Sequence, residues 1–339
     1  MTLLIGSPIL YQESVKSTAS VAGLPATLRN KLASGPACAK LQPMSARFSP
    51  KLRGAALAAL PGVFVLLWST GFIGAKLGLP YAEPMTFLAL RFAIAGGLLL
   101  AAVLAFRAPW PRSWAQAGHI AVAGLLLHGV YLGGVFASID LGVEAGVSAL
   151  IVGIQPLLVA AAAAPLLGER VTRLQWLGLM LGLTGVTLVV WRKLELGLGT
   201  PLGMGLSVLA LFGIAGATLY QKRFCADMPL RSGNMIQFAA AALATGLLAL
   251  LFETRTIAWS GEFVFALVWL ILVLSLGAFT LLYILIRRGA AARVSSLFYL
   301  VPASTALIAW GLFGERFGPV ALAGMALTAV GVALVNLRR

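Results

Sequence analysis

Four ionisable side chains fall inside long apolar runs: Lys76, Arg91, His119 and His128. Charge is costly in an apolar medium, so such residues serve pairing, ion handling or ligand binding. His128 is the deepest. An imidazole titrates near neutral pH, so this one either carries a coupling proton or sits neutral and hydrogen-bonded. Lys76 and Arg91 lie toward the same end of their runs, near Glu83. They either pair or snorkel there, or attract the carboxylate of a bound solute. All ten acids fall in the N-terminal tail, in connectors or at run ends. That pattern argues against a proton pump built on buried carboxylates.

Two prolines add backbone chemistry. A proline inside a helix leaves the carbonyl four residues back without its N–H partner. For Pro156 and Pro302 those carbonyls belong to Val152 and Phe298. They must be satisfied by protein, by water or by a ligand. Packing kinks at both prolines are the alternative. Gln155, beside Pro156, is a neutral hydrogen-bonding candidate at the same depth.

The two prolines belong to an internal repeat. Pro156 is followed by Gly168-Glu169-Arg170, Gly178 and Gly185. Pro302 is followed by Gly314-Glu315-Arg316, Gly324 and Gly331. The offset is 146 throughout (302 − 156, for example), and it also places Lys76 on Lys222, Phe92 on Phe238 and Ala145 on Ala291. A gapless frame of this kind fixes architecture before any local assignment. One copy spans 55–191 and the other 202–337.

The chain is 60% hydrophobic and 10% charged, against a usual charged share of roughly 25%. Ten apolar runs, at about 56–79, 85–106, 117–138, 145–167, 173–191, 202–222, 232–252, 263–286, 292–313 and 318–337, are each near the roughly 20 residues that cross a bilayer core. The predicted fold class is therefore an all-α integral membrane protein, with ten transmembrane helices as two inverted five-helix repeats. Inversion follows from the odd number of crossings per copy, and it predicts a binding site near the midplane where the copies meet. Trp110, Trp114, Trp176, Trp191 and Trp259 fall near helix ends, where an amphipathic ring suits the headgroups. Gly129 with Gly133, and Gly178 with Gly182, have the spacing of close helix contacts.

The net charge of +15 comes from Lys and Arg lying between apolar runs, where they set topology rather than bind nucleic acid. With the N-terminus inside, twelve bases fall in inner connectors and four in outer ones. Both termini are thus predicted to be cytoplasmic. Residues 1–54 read as a basic, disordered tail, and Met44 is the expected start of translation. The two cysteines, Cys38 and Cys225, suit neither a metal motif nor a disulfide framework. No nucleotide loop, metal motif or nucleophile elbow appears, so no catalytic residue, metal or cofactor is assigned.

Together, the mid-helix prolines, the closing Gly-Glu-Arg, Trp68-Ser69 through Lys76, and Arg91-Phe92 resemble the EamA family of the drug/metabolite transporter superfamily. That resemblance implies export of small metabolites or drugs, amino acids among them, across an inner membrane. A membrane-embedded non-transport subunit or a lipid-carrier flippase component is the alternative. The implied partners are a small-molecule solute and the lipid bilayer, with a homodimer left open.

Residues without a symmetry mate are expected to shape the cavity, while matched residues build the frame. Trp68, Arg91, His128, Tyr131, Tyr220, Tyr283, Tyr299 and Trp310 are unmatched in this sense. With Gln155 and Phe298 they form the candidate substrate-binding set, and Pro156 and Pro302 are the helix-kink positions. So aromatic a lining suits a partly apolar or aromatic solute. Aromatics that simply fill helix interfaces are the plainer alternative.

Overall fold

The computed structural model describes residues 50–143, 145–194, 199–313 and 318–337. The tail with Met44, and the second Gly-Glu-Arg at 314–316, lie outside the described residues.

Breakers and caps set the helix ends. Helix α1 is Pro50–Gly78 and α2 is Pro84–Ala105. Helix α3 runs over Trp114–Asp140, starting where Ser113 accepts a hydrogen bond from the Gln116 N–H at 3.1 Å. Helix α4 is split into α4a, Ala145–Val152, and α4b, Gln155–Leu167. Gly168 ends it with φ 69°, and the Gly168 and Glu169 N–H groups return to Ala164 and Ala163, a closure that needs the left-handed turn glycine allows. Then come α5, Arg173–Leu194, α6, Pro201–Phe224, and α7, Leu230–Phe252. Helix α8 covers Gly261–Arg288. Helix α9 is also split, into α9a, Ala291–Ser296, and α9b, Leu300–Phe313, joined by a 3-10 turn at Leu297–Tyr299. Helix α10 is Pro319–Asn336. Proline opens α2, α6 and α10, where its missing N–H would have had no partner anyway.

Among the described residues, nine helices are long and apolar enough to cross a membrane. The two pieces of α9 supply the tenth crossing. Leu104, Leu243, Leu251 and Phe252 are largely exposed, as a lipid-facing surface requires. The belt tryptophans are exposed too, Trp114 by 93%.

Equivalent helices of the two copies meet, and they run antiparallel. A Cβ added at Gly178 would come within 2.6 Å of the Gly331 carbonyl, and one at Gly324 within 2.7 Å of the Gly185 carbonyl. Along α5 and α10, then, 178 faces 331 and 185 faces 324. The start of α2 meets the end of α7, since the Met85 and Thr86 N–H groups both donate to Glu253 at 2.7 Å. Further along the same pair, Phe92 packs on its mate Phe238. Helices α4 and α9 meet where Gln155 Nε2 donates to Ser295 Oγ at 3.0 Å and Glu169 accepts from the Ala291 N–H at 2.7 Å. Antiparallel mates in three separate pairs mean that one copy is upside down relative to the other.

Two local expectations change. Pro156 and Pro302 do not kink continuous helices. The chain leaves the helix at Gly153–Ile154, and each proline sits in the first turn of the half-helix that follows. Pro156 is tolerated because the turn it opens follows a break and lacks intrahelical acceptors. Pro302 follows the 3-10 turn at Leu297–Tyr299, into which the Leu300 N–H returns. Nor does Gly129 make a close helix contact; nothing lies near it, whereas Gly124 abuts Gln237 and Gly134 abuts the Leu206 carbonyl. The cause is a wide π-helical segment at Leu125–Leu132, which rotates the contact face relative to a regular helix. Its counterpart in α8 is Leu270–Ala278.

Candidate functional site

The wide turns of α3 and α8 bring polar side chains into the protein interior. His128 and Tyr131 lie in the first and Ser275 in the second. Arg91, from the buried face of α2, is only 2% exposed. Its Nε donates to Ser275 Oγ at 3.1 Å. Among the described residues no carboxylate pairs with it, and the bond to Ser275 is its one hydrogen bond. Glu83, the expected partner, is engaged elsewhere: it accepts from Thr254 Oγ1 at 2.7 Å and from the Arg255 N–H at 2.9 Å. Arg91 is thus neither snorkelling nor paired there. The buried Tyr131 lies within electrostatic reach of the guanidinium and close to the Trp68 indole.

Aromatic rings close around this group. Trp68 packs against Phe279, Phe298 and Phe64 with centroids 4.8, 5.1 and 5.2 Å apart. Phe279 also meets His128 edge-on at 4.5 Å, and Phe238 stacks on that imidazole at 4.5 Å with its ring 6.0 Å from Phe279. Trp68, Arg91, His128, Tyr131, Tyr283 and Phe298 therefore belong to one neighbourhood.

A polar chain leads away from it. His128 Nε2 lies 3.3 Å from the Tyr283 hydroxyl, which donates to Gln237 Oε1. Gln237 Nε2 donates to Gln221 Oε1 at 2.9 Å. Because the Tyr283 proton goes to Gln237, the His128 bond needs a proton on Nε2. All four side chains are buried. Tyr283→Phe strands a buried acceptor and a buried donor together, so it is expected to destabilise the protein by about 1–3 kcal/mol. Thermal unfolding in detergent measures this, and an unchanged midpoint would contradict the network.

The remaining candidates lie elsewhere. Gln155 binds Thr218 and Ser295 through Nε2, while its Oε1 is buried without a partner. Tyr299 lies against Gly182 with its hydroxyl unpartnered. Tyr220 is not part of the central cluster. It sits near the end of α6, bonded to His119 Nδ1 at 2.7 Å and packed on Phe224. The Trp310 side chain is outside the described residues. Sequence reasoning missed Ser275, Gln221 and Phe279. Gln237 was visible only as the symmetry mate of Arg91, and Phe238 only as the mate of Phe92.

Carboxylates hold the two ends of the bundle. At one end Glu169 pairs with Lys222 at 2.9 Å and caps α9a through Ala291, while Lys222 also donates to the Gly289 carbonyl. At the other, Glu253 caps α2 and Glu83 binds the connector after α7. Ala82 and Ile257 form an antiparallel bridge beside them. The hydrogen bond from Thr254, helped by the Arg255 N–H, holds the Glu83 carboxyl below its ordinary range. A lowered folded value means stabilisation that is present above the unfolded value near ~4.3 and lost as pH falls through the folded one. The melting midpoints of the wild type and Glu83→Gln should therefore differ at neutral pH and converge as the solution is acidified below that value. A gap that persists in strong acid would count against this carboxylate.

Among the described residues no three His, Cys, Asp or Glu side chains gather as a metal site would need. Cys225 is a buried free thiol, pushed up to about 11 by that burial.

A family model described as the EamA-like transporter family matches residues 53–191 and again 201–337. The chain is 26% identical over 275 residues to the uncharacterized inner membrane transporter YedA of Escherichia coli (strain K12), covering 80% of this chain and 88% of that protein. It is 28% identical over 305 residues to the uncharacterized transporter YvbV of Bacillus subtilis (strain 168), covering 85% and 92%. One solved crystal structure superposes with a TM-score of 0.69 at 24% identity, over 83% of this chain and 96% of that one. At that identity the likeness is one of fold.

Proposed function

The chain belongs to the EamA-like transporter family, and from that premise we propose that this membrane transporter is a secondary exporter of small metabolites such as amino acids or drug-like solutes. Its two copies, at 55–191 and 202–337 behind a tail at 1–54, move against each other by alternating access. Both termini face the cytoplasm of a cell whose inner membrane holds the protein.

One observation carries this reading: equivalent helices meet antiparallel around a buried cluster of polar and aromatic side chains. Inverted repeats place a substrate site where the copies meet, and they build it from interrupted helices. Helices α4 and α9 are interrupted just before matching prolines. The cluster is buried while carboxylates fasten both ends, as an occluded stage of the cycle requires.

The test is flux. Cells overproducing the protein are screened for released metabolites, and each hit is repeated in proteoliposomes. Unaltered solute crossing the bilayer, against a protein-free control, supports transport. Movement of a labelled lipid with no solute flux would favour a flippase, and neither movement would overturn the proposal. Accessibility labelling of cysteines placed at Arg170 and Tyr81 should find them on opposite faces, with Arg170 inside.

A further inference from the structure

We propose that Arg91 is an anion anchor, and that the solute it takes is an organic monoanion: a carboxylate on an aromatic or bulky apolar body. The proposal rests on the transport reading and narrows it to a substrate class.

Burial and pairing carry the argument. A guanidinium always bears its charge, and a buried charge needs a counter-charge or a full set of hydrogen bonds. Arg91 has one hydrogen bond, to Ser275. Five N–H donors in a planar fork match a carboxylate two at a time. Nε is spent on Ser275, and among the described residues no carboxylate forms an ion pair with the guanidinium. The structure thus holds a cation whose complement must come from elsewhere, and a passing anion is the natural source.

The surroundings select the rest of the molecule. Trp68 touches both Phe279 and Phe298, and nearby Tyr131 lies within reach of the guanidinium. An apolar or aromatic body can pack on them while its acid end meets Arg91. The described residues offer no carboxylate at this depth to meet an ammonium. A plain carboxylate therefore suits the site better than an amine.

The probes are 3-phenylpropionate, its neutral amide and the matching amine, 3-phenylpropylamine. Binding to the full-length protein in detergent is followed by tryptophan fluorescence and by thermal stabilisation. Wild type should bind the carboxylate roughly ten- to a hundredfold more tightly than either analogue. Arg91→Gln should erase that preference, and Arg91→Lys should keep part of it. Chloride should compete only weakly, since it has no apolar body. Removing a lone buried cation should leave the melting midpoint of Arg91→Gln unchanged or higher, which separates a binding role from a structural one. Equal binding of amide and acid, a preference that survives Arg91→Gln, chloride binding as tightly as the acid, a lowered midpoint, or no binding of the acid up to ~10 mM would each overturn the proposal. Binding of the acid with no flux in proteoliposomes would overturn transport and leave the anchor. Flux of other solutes unaffected by Arg91→Gln would do the reverse.

Discussion

Gly185→Leu is expected to cost the protein its fold, and not merely its rate. At this position a Cβ would come within 2.6 Å of the Thr328 backbone nitrogen and 2.7 Å of the Gly324 carbonyl. Backbone cannot rotate away as a side chain can. Forcing extra methylenes into a packed interior typically costs about 1–3 kcal/mol even when neighbouring side chains can yield. Here α10 would have to leave α5, and the loss exceeds that range. The symmetric contact, Gly178 against Gly331, would open with it. In lipid there is little hydrophobic force to draw the helices back, because close packing itself supplies much of the attraction. Size-exclusion in mild detergent should show no monodisperse Gly185→Leu protein. Gly205→Leu, at a position with nothing nearby, should elute like the wild type. A monodisperse, wild-type-like Gly185→Leu would mean that these two helices do not touch.

The same glycines show why so much of the fold can be read in the sequence. A backbone contact tolerates one residue type, so Gly178, Gly185, Gly324 and Gly331 mark both copies at one offset. Helix spans were legible for a similar reason, since lipid demands length and apolarity and breakers mark the ends. The π-helical segments were not legible. They change register without changing composition, and an apolar run hides them. That is why Gly129 was expected at a contact that Gly124 and Gly134 make.

The candidate site was half legible. Lack of a symmetry mate picked out Trp68, Arg91, His128, Tyr131 and Tyr283, which the structure gathers. It could not sort residues by helix face. Tyr220 and Gln221 are adjacent, about 100° apart around α6. Gln221 joins the buried chain to Gln237, while Tyr220 turns to His119. Ser275 gave no signal, because an isolated serine in an apolar helix usually bonds its own backbone. Its role comes from Arg91, which reaches it across 184 positions of sequence.

Reversing the charge of Glu169 or Lys222 should produce the second large effect. Their 2.9 Å pair is 21% exposed on each side, so water weakens it, and the pair itself contributes only about 1 kcal/mol. Reversal does more than remove it. Lys222→Glu sets two carboxylates together and deprives the Gly289 carbonyl of its donor. Glu169→Lys sets two ammonium groups together and turns a cation toward the first N–H of α9a. Each single variant should therefore loosen the junction of α4b, α6 and α9a. The double reversal restores the ion pair but not the Ala291 cap, so its recovery should be partial. A double-mutant cycle on melting midpoints isolates that coupling, and added salt should shrink it. Cys225 reports the structural side, because it lies three residues beyond Lys222 and is buried. A thiol titrating at about 11 is almost wholly protonated at neutral pH and reacts slowly with maleimide. In a Cys38→Ala background, either single reversal should speed Cys225 labelling at least roughly tenfold, the thiolate gain expected if its titration returns toward the ordinary value near 8.5. The double variant should fall between. Strictly additive midpoints, or labelling that neither reversal changes, would show that this pair does not hold the face closed.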